Sequence, residues 1–356
     1  FQHSRCCYSS TANSTNNMKK YFAIDLFSGC GGLSEGLRTA GFDVVAAFDN
    51  DPDSVATYRL NHPCTTVFEQ DIREIRTNEI KKLLRGKPLH LLAGCPPCQG
   101  FSSIRRLNKK RSIRDDRNNL VLEYLRFVKD LKPLTIMMEN VPGLINYTLF
   151  KYVIRELQQL GYNPKFQPVK IQEYGIPQRR KRLVVVGSLL GELDIAKPTG
   201  EKVTVKDMIG HLESVNKTKD YVHRIVARHT PEVMRRIKAI PKDGGSRKDV
   251  PKFELACHKK NRVGFNDVYG RLRWDSYAST ITGGCLNPSK GRFLHPDENR
   301  AITAREAALL QTFPKTYKFP KDISKTSISL LIGNALPPKF SHIQAANILD
   351  HLKVAG

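Results

Sequence analysis

The sequence has few acidic residues for the number of its basic ones. Its 356 residues include 34 Asp and Glu against 58 Lys and Arg, which gives a formal net charge of +24. This imbalance favours a polyanionic partner, because each phosphate that a protein neutralises releases condensed counterions. Neither a lipidation motif nor a compact basic amphipathic helix is found, so an anionic membrane is the weaker candidate. Nucleic acid is therefore the expected partner.

Long apolar runs and a regular cysteine spacing are also missing. No run approaches the roughly 20 apolar residues of a membrane-spanning helix, so no membrane contact is expected. The eight cysteines do not follow a disulfide-scaffold spacing, which favours a reducing, cytoplasmic location. Residues 1–17 are rich in Ser, Thr and Asn and lack the apolar segment of a signal peptide. We interpret them as a disordered leader or tag.

The periodicity of the chain predicts an α/β fold. From residue 18 to 190, short β-rich runs alternate with helical patterns, which is typical of a mostly parallel sheet. The pattern loosens over residues 191–300, which are predicted to form a second, smaller domain, and it resumes over residues 301–356. The predicted strands are 21–27, 44–48, 90–93, 135–138 and 183–187, and the predicted helices are 33–40, 120–131, 304–311 and one beyond Pro337.

A glycine turn follows the first predicted strand and indicates a ligand site. The segment Phe27-Ser-Gly-Cys-Gly-Gly32 opens a helix, where glycines let a ligand approach the backbone and the helix N-terminus. Asp49 ends the next strand and is suited to bind ribose hydroxyls, and Asp71 is suited to bind an adenine amino group. The glycine order differs from the dinucleotide fingerprint, which favours an adenosyl ligand without pyrophosphate. A merely tight strand–helix turn is the alternative.

The segment Cys95-Pro-Pro-Cys98 follows another apolar strand and has three interpretations. The two cysteines are a redox pair or half of a zinc site, or both are buried and inert, or Cys98 is a nucleophilic thiolate. The sequence has no second Cys-x-x-Cys, and no His-x₃₋₅-His pair completes a metal set with these cysteines, which disfavours zinc. The local sequence alone leaves the other interpretations open.

Charged residues flank two further predicted strands. Glu139 follows the apolar strand 135–138, where a carboxyl group is placed to donate a proton. In the basic run 178–182, strand alternation puts Arg180 and Arg182 on one face, so we expect both to point at the same site. A salt-bridged strand end and a solvated charge run are the alternatives.

Taken in order, these motifs resemble those of the DNA cytosine-C5 methyltransferases, and the resemblance covers nearly the whole chain from Met18. It implies a doubly wound, Rossmann-like sheet that binds S-adenosylmethionine without a metal, and a target-recognition domain at residues 191–300. The motifs are Asp25-Leu-Phe-Ser-Gly-Cys-Gly-Gly32, Gly94–Ser102, Glu139-Asn-Val141, Gln178-x-Arg180-x-Arg182, Thr303-x-Arg305-Glu306 and Gly333-Asn-Ala-Leu-Pro337.

The resemblance also implies residue roles. Cys98 attacks cytosine C6, Glu139 engages N3, and Arg182 with Arg180 steadies the cytosine O2 and the Glu139 carboxylate. The segment 333–337 is expected to fold back beside the first strand, so the large domain is discontinuous. Positions matching cofactor contacts are Phe27, Cys30, Gly32, Asp49, Asn50, Asp71, Ile72, Pro97, Leu120 and Asn334.

Double-stranded DNA is the expected substrate, and its cytosine must be flipped out to expose C6. Residues 104–117 carry seven Lys and Arg and are predicted to form a mobile loop that closes over phosphates. The candidates in this loop are Arg105, Arg106, Lys109, Lys110 and Arg111, and those in the recognition domain are Lys259, Lys260, Arg262, Arg271, Arg273 and Lys290. Thr280 and Thr282 are similar to a family element near the flipped base.

Two alternatives differ in substrate or in class. A tRNA cytosine-C5 methyltransferase usually has Thr after the Phe of this motif, whereas Phe101 is followed by Ser102 here. A non-catalytic DNA-binding regulator would be expected to lack Cys98, Glu139 or the glycine turn. The sequence therefore favours a monomeric bacterial enzyme, of restriction–modification or solitary type, without physical contact to a cognate endonuclease.

Overall fold

A seven-stranded sheet forms the centre of the protein, seen in a computed structural model that describes residues 19–97, 119–253, 255 and 267–355. The strand order is β3-β2-β1-β4-β5-β7-β6. The strands are β1 (Tyr21–Leu26), β2 (Phe42–Asp49), β3 (Thr66–Glu69), β4 (Leu91–Gly94), β5 (Thr135–Asn140), β6 (Lys165–Lys170) and β7 (Lys181–Ser188). Strands β1 to β5 are parallel, and β7 runs antiparallel to both β5 and β6. The predicted mostly parallel α/β sheet is confirmed.

Helices cover both faces of the sheet. Alternating residues of β1 enter two different cores, with Ile24 on one face and Ala23 on the other. Helices α4 and α5 pack on the first face, and α1 packs against α11 on the second. The helices are α1 (Gly32–Ala40), α2 (Pro52–Asn61), α3 (Thr77–Leu84), α4 (Leu120–Leu131), α5 (Thr148–Gln159), α6 (Val205–Ile209), α7 (Tyr221–Arg224), α8 (Pro231–Ala239), α9 (Ala304–Leu310), α10 (Lys325–Asn334) and α11 (Pro338–Ala355).

Two strands, β3 and β6, are not predicted from the sequence. Both lie at the edges of the sheet, where a strand needs no continuous apolar run. The four residues of β3 are half-buried or exposed, and β6 contains Pro168 and has four exposed side chains among its six residues. The reversed direction of β7 is equally invisible to periodicity, because parallel and antiparallel buried strands share one pattern.

The segment from residue 191 to 300 contributes no strand to the sheet within its described residues. Its residues Val205 and Leu272 share a hydrophobic cluster with Ala304 and Ile332 from the returning chain. A smaller cluster collects buried apolar side chains of this segment alone: Ile237, Ile240, Val268, Tyr269 and Leu294. No helix in the described ranges is both long and apolar enough to span a bilayer.

Candidate active site

The turn between β1 and α1 has backbone torsions that glycine tolerates best. Gly29 and Gly31 have φ of +53° and +93°, and Phe27 has the rare non-glycine value of +60°. The turn is also crowded, because a Cβ on Gly32 would lie 2.4 Å from the Leu336 carbonyl oxygen. The loop that contains Leu336 thus packs directly on the start of α1.

The two acids predicted to contact an adenosyl ligand have different surroundings. Asp49 ends β2 and accepts a hydrogen bond from the Gly29 N–H at 2.8 Å, and burial raises its pKa. Asp71 is bound by two guanidinium nitrogens of Arg73, at 2.9 and 2.5 Å. These bonds lower the pKa of Asp71 to about 2. Asp71 therefore already pairs with a cation, whereas Asp49 is free of one in the described part of the chain.

Three apolar residues of the predicted cofactor set lie in one cluster. Ile72 is buried in the core, and the half-buried Phe27 and Leu120 pack against the same core. Cys30 is buried apart from them, and its thiol donates to a backbone carbonyl of α10 at 3.4 Å. Asn334 ends α10 and is exposed. The turn, α10 and the start of α4 thus contribute to one region at the sheet edge.

Asp25 is a functional candidate that motif reasoning missed. Its Oδ2 accepts a hydrogen bond from the Ser34 hydroxyl at 2.6 Å, and Ser34 shares another of 2.6 Å with the Tyr58 hydroxyl. Asp25 is fully buried, and its Oδ1 has no hydrogen-bond partner among the described residues. Burial raises its pKa to about 7. The available signal was an acid inside an otherwise apolar strand.

Glu139 and Arg182 meet at the centre of the sheet edge. Strands β5 and β7 are antiparallel neighbours, so the last residues of β5 lie beside the first of β7. Nε of Arg182 is 2.5 Å from Oε1 of Glu139, and their side chains are only 16% and 10% exposed. Removing either partner would leave a mostly buried charge uncompensated. The two side chains therefore act as one unit.

Arg180 was expected to point at the same site as Arg182. Its guanidinium lies near Arg182 and Glu139, which both influence its pKa, and its Nε has no hydrogen-bond partner among the described residues. Its Nη1 donates to the carbonyl oxygens of Ile281 and Gly333, each at 3.0 Å. Gln178 holds the backbone of the same residue, because its Oε1 accepts from the Ile281 N–H at 3.1 Å. Burial lowers the pKa of Arg180 to about 9, which still leaves it charged at neutral pH. Nη1 of Arg180 thus holds residues 280–284, named the recognition loop below.

The recognition loop is held against α9 and α10 by backbone packing and buried amides. A Cβ on Gly333 would lie 2.0 Å from the Thr282 carbonyl carbon, so the two backbones touch. Nε2 of Gln178 donates to Oε1 of Gln311 at 2.6 Å, and Gln311 donates onward to a carbonyl of α10 at 2.6 Å. The Thr280 hydroxyl donates to the carbonyl that precedes Arg180. The loop therefore has one defined position relative to β7.

The predicted nucleophile Cys98 lies outside the described residues, but the turn that leads to it is partly described. Asn140 donates from Nδ2 to the Pro96 carbonyl at 2.9 Å, and Pro97 is half-buried. Burial raises the pKa of the Cys95 thiol well above its usual value, and the nearby Glu139 carboxylate adds to this. Cys95 is thus held as an unreactive thiol, beside the strand that carries Glu139.

The prediction that Arg271 contacts DNA is wrong. Its side chain is fully buried, and its five N–H groups donate to four backbone carbonyls and to Oδ1 of Asn299, at 2.6 to 3.1 Å. A guanidinium has five donors. None is therefore left for a phosphate or a base.

Of the other predicted DNA contacts, some lie within the described residues and the rest lie outside them. Arg273 and Lys290 are exposed, and Thr280 and Thr282 are half-buried in the recognition loop. The candidates that lie outside the described residues are Arg105, Arg106, Lys109, Lys110, Arg111, Lys259, Lys260 and Arg262.

Comparison with known proteins gives matches along almost the whole chain. A family model of C-5 cytosine-specific DNA methylases matches residues 21–350. The Type II methylase M.HgiDII of Herpetosiphon aurantiacus is 38% identical over 345 residues, which cover 93% of this chain and 95% of the relative. The Type II methyltransferase M1.HphI of Haemophilus parahaemolyticus is 31% identical, covering 92% and 86%.

Solved structures share the fold. A prophage-encoded protein from E. coli superposes with a TM-score of 0.72 at 25% identity, over 94% of this chain and 100% of that chain. The S. pombe Dnmt2 methyltransferase superposes with a TM-score of 0.67 at 19% identity, again over 94% and 100%. The likeness therefore includes the residues outside the sheet as well as those within it.

Proposed function

Because this chain belongs to the C-5 cytosine-specific DNA methylase family and is a DNA cytosine-C5 methyltransferase, we propose that Cys98 is its nucleophile. Glu139 and Arg182 act with it on a cytosine that is flipped out of duplex DNA at a cost of a few kcal/mol. The Glu139–Arg182 ion pair carries this proposal. It lies at the end of β5, the same strand whose Asn140 binds the turn before position 98.

Each residue has a distinct task in the reaction. The Cys98 thiolate bonds to C6, and the C5–C6 π electrons move towards C5. The Glu139 carboxyl group donates a proton to N3, which neutralises the negative charge that thiolate addition places on the ring, and takes the proton back when the thiolate leaves. Arg182 orients the Glu139 carboxyl group and donates to the cytosine O2. S-adenosylmethionine, when bound, supplies the electrophilic methyl group that C5 accepts, and its sulfur keeps the electron pair of the broken bond, which leaves S-adenosylhomocysteine. Loss of the C5 proton to water then breaks the bond from C6 to Cys98 and frees the thiolate.

The residues at the β1–α1 turn fit S-adenosylmethionine. Phe27, Ile72 and Leu120 offer an apolar surface for the adenine, and the Asp49 carboxylate is suited to the ribose hydroxyls. The unpartnered Oδ1 of Asp25 is suited to the amino group of the methionine part. The other residues assigned to this pocket are Cys30, Gly32, Asn50, Asp71, Pro97 and Asn334.

The test is methyl transfer from labelled S-adenosylmethionine to duplex DNA, followed by base-resolution mapping of 5-methylcytosine. Incorporation is expected at one sequence context in DNA and not in tRNA assayed in parallel. Cys98→Ala should abolish incorporation and the covalent adduct with 5-fluorocytosine DNA, while cofactor affinity stays within about twofold. Cys64→Ala is the matched control and should keep both. A covalent adduct with Cys98→Ala would overturn the assignment of the nucleophile.

The biological setting follows from the relatives, which are named as Type II enzymes. The chain is proposed to mark DNA in a bacterial restriction–modification system, or as a solitary enzyme, in the cytoplasm at the nucleoid. It acts as a monomer and makes no physical contact with an endonuclease. Arg105, Arg106, Lys109, Lys110 and Arg111 are proposed to bind phosphates and help to hold the flipped state. Neutralising them should reduce the salt dependence of DNA binding, and an unchanged dependence would contradict this role.

A further inference from the structure

A basic cleft lies beside the recognition loop, where the chain enters β7. Its volume is about 300 Å³. It is formed by the segment just before β7 together with residues between 244 and 292. The lining side chains that matter below are Arg179, Asp267, Arg273, Ser276, Ser279 and Arg292. Cationic and hydroxyl groups thus dominate its wall.

One of these arginines maintains the shape of the wall and is not available to a ligand. Nη1 of Arg292 donates to the carbonyls of Gly244 and Arg271, at 2.9 and 2.8 Å. Nη2 of Arg292 lies 3.5 Å from Asp267, the acid of the cleft. The buried Arg271 braces the wall from behind, as described above. The single acidic group of the lining therefore already faces a cation.

Two other arginines have donors to spare. Arg273 is exposed, and its guanidinium has no hydrogen bond or ion pair with any described residue. Arg179 is also exposed, and its guanidinium makes one hydrogen bond, from Nη2 to the Ser276 hydroxyl at 3.3 Å. A Cβ on Gly244 would lie 2.6 Å from Nε of Arg273, so this guanidinium rests directly on the backbone of the cleft. Both cations are thus placed at a defined wall without being neutralised.

The chemistry of the cleft selects an anion with several acceptor oxygens. Two guanidinium groups without an ion pair to a described residue and the hydroxyls of Ser276 and Ser279 all offer donors, as in sites that bind DNA phosphates. We propose that this cleft binds a backbone phosphate of the target DNA strand next to the flipped cytosine. The proposal rests on the proposed function, which makes duplex DNA with a flipped cytosine the substrate.

Covalent connectivity keeps the cleft close to the residues that are proposed to bind the reacting base. Arg179 directly precedes Arg180, which holds the Ile281 carbonyl of the recognition loop. Ser279 directly precedes Thr280, whose hydroxyl donates to the Arg179 carbonyl. Arg182, which pairs with Glu139, is only three residues beyond Arg179 in the chain. The phosphate is therefore one that flanks the target nucleotide, and not one at the far end of the site.

The first experiment measures the salt dependence of DNA binding by the full-length protein. Arg179→Met and Arg273→Met are made singly and together, and Arg155→Met, an exposed arginine of α5, is the matched control. Two duplexes are used, one with the mapped methylation site and one scrambled. In a plot of the logarithm of the DNA association constant against the logarithm of the salt concentration, the slope is negative. The double variant should reduce its magnitude by about 0.9, equally on both duplexes, and the control variant should not change it. An unchanged slope would overturn the proposal, and so would a loss confined to the mapped site, which would assign guanine readout.

The second experiment locates the phosphate. Single methylphosphonate linkages, which are neutral, are placed in turn at the positions that flank the target cytosine. One flanking position should weaken binding by wild type about tenfold and leave binding by the double variant unchanged. Equal weakening of both proteins at every position would overturn the proposal. Methyl transfer by wild type on the unmodified duplex is measured alongside. Absence of methyl transfer would contradict the proposed function. Methyl transfer without the expected change of slope in the double variant would contradict only the proposal that the cleft binds a phosphate.

Discussion

The sheet edge and the segment from residue 205 to 300 satisfy their backbone polar groups in different ways. At the sheet edge, β1, β4, β5 and β7 bond to one another through continuous strand ladders. In the described part of the second segment, β pairing is limited to isolated bridges, and the other backbone hydrogen bonds belong to short helices and turns. There, arginine side chains take over as donors, with Arg271 bound to four carbonyls and Arg292 to three.

This difference between the two regions affects how a basic residue in the sequence should be interpreted. A buried carbonyl without a ladder partner costs free energy, and a guanidinium can satisfy several carbonyls at once. An arginine in a segment without strands is therefore as suited to hold the backbone as to bind a phosphate. The positive charge of the chain consequently overstates the number of its DNA contacts.

The largest expected effect lies at the sheet edge. Glu139→Gln keeps the shape of the side chain but removes the charge that pairs with Arg182, so methyl transfer should fall by about 10²- to 10⁴-fold. Cofactor affinity, measured by calorimetry, should stay within about twofold, because the pair lies outside the residues assigned to the cofactor. A variant that keeps more than about half of the wild-type rate would separate this ion pair from the chemistry.

The next effect tests the second region. Arg271→Met should lower the free energy of unfolding by about 3 to 5 kcal/mol, because it leaves buried carbonyls without donors. Arg273→Met, two residues away and exposed, should change it by less than about 0.5 kcal/mol. Denaturant unfolding of both variants gives the comparison. Equal changes would show that the guanidinium of Arg271 does not hold this region together.

A smaller effect is expected on the pH dependence of the free energy of unfolding, through Asp25 in the first region. The pKa of Asp25 is about 7 in the folded state and near 4 in the unfolded chain. The folded state therefore binds more protons than the unfolded state between these pH values. The contribution of protonated Asp25 to the free energy of unfolding is fully present below pH about 4 and is lost as pH rises through 7. Between pH 5 and 7, wild type should lose about 2 kcal/mol more than Asp25→Asn in denaturant unfolding. Parallel pH profiles would show that Asp25 ionises normally.

The smallest expected change in methyl-transfer rate concerns Gln178, which links the sheet edge to the recognition loop. Gln178→Leu removes the acceptor for the Ile281 N–H and the donor to Gln311, so the recognition loop should lose its defined position. The methyl-transfer rate should fall about tenfold, equivalent to about 1.4 kcal/mol. Cofactor affinity should stay within about twofold, and the adduct with 5-fluorocytosine DNA should form more slowly. A change in cofactor affinity alone would place this amide in the cofactor region.

The sequence supports prediction well wherever a motif coincides with a strand end. The glycine turn, Asp49 and Glu139 follow buried apolar strands, so their common placement at the sheet edge follows from period and order. The roles of Arg180 and Arg271 could not be predicted, because a buried arginine and an exposed one have the same local pattern. Asp25 was missed because an acid inside an apolar strand does not by itself indicate a ligand, and the fold adds that one of its oxygens has no partner among the described residues.

Gly333 shows how close packing alone can restrict a position. It lies against the backbone of Thr282 with no room for a methyl group, and any single-nucleotide missense change at this codon adds at least that much. In a saturation mutagenesis survey, Gly333 should therefore tolerate as few substitutions as Glu139. Such a survey would mark both as indispensable, although only one of them is proposed to meet the base, and measurements of stability beside activity would separate the two causes.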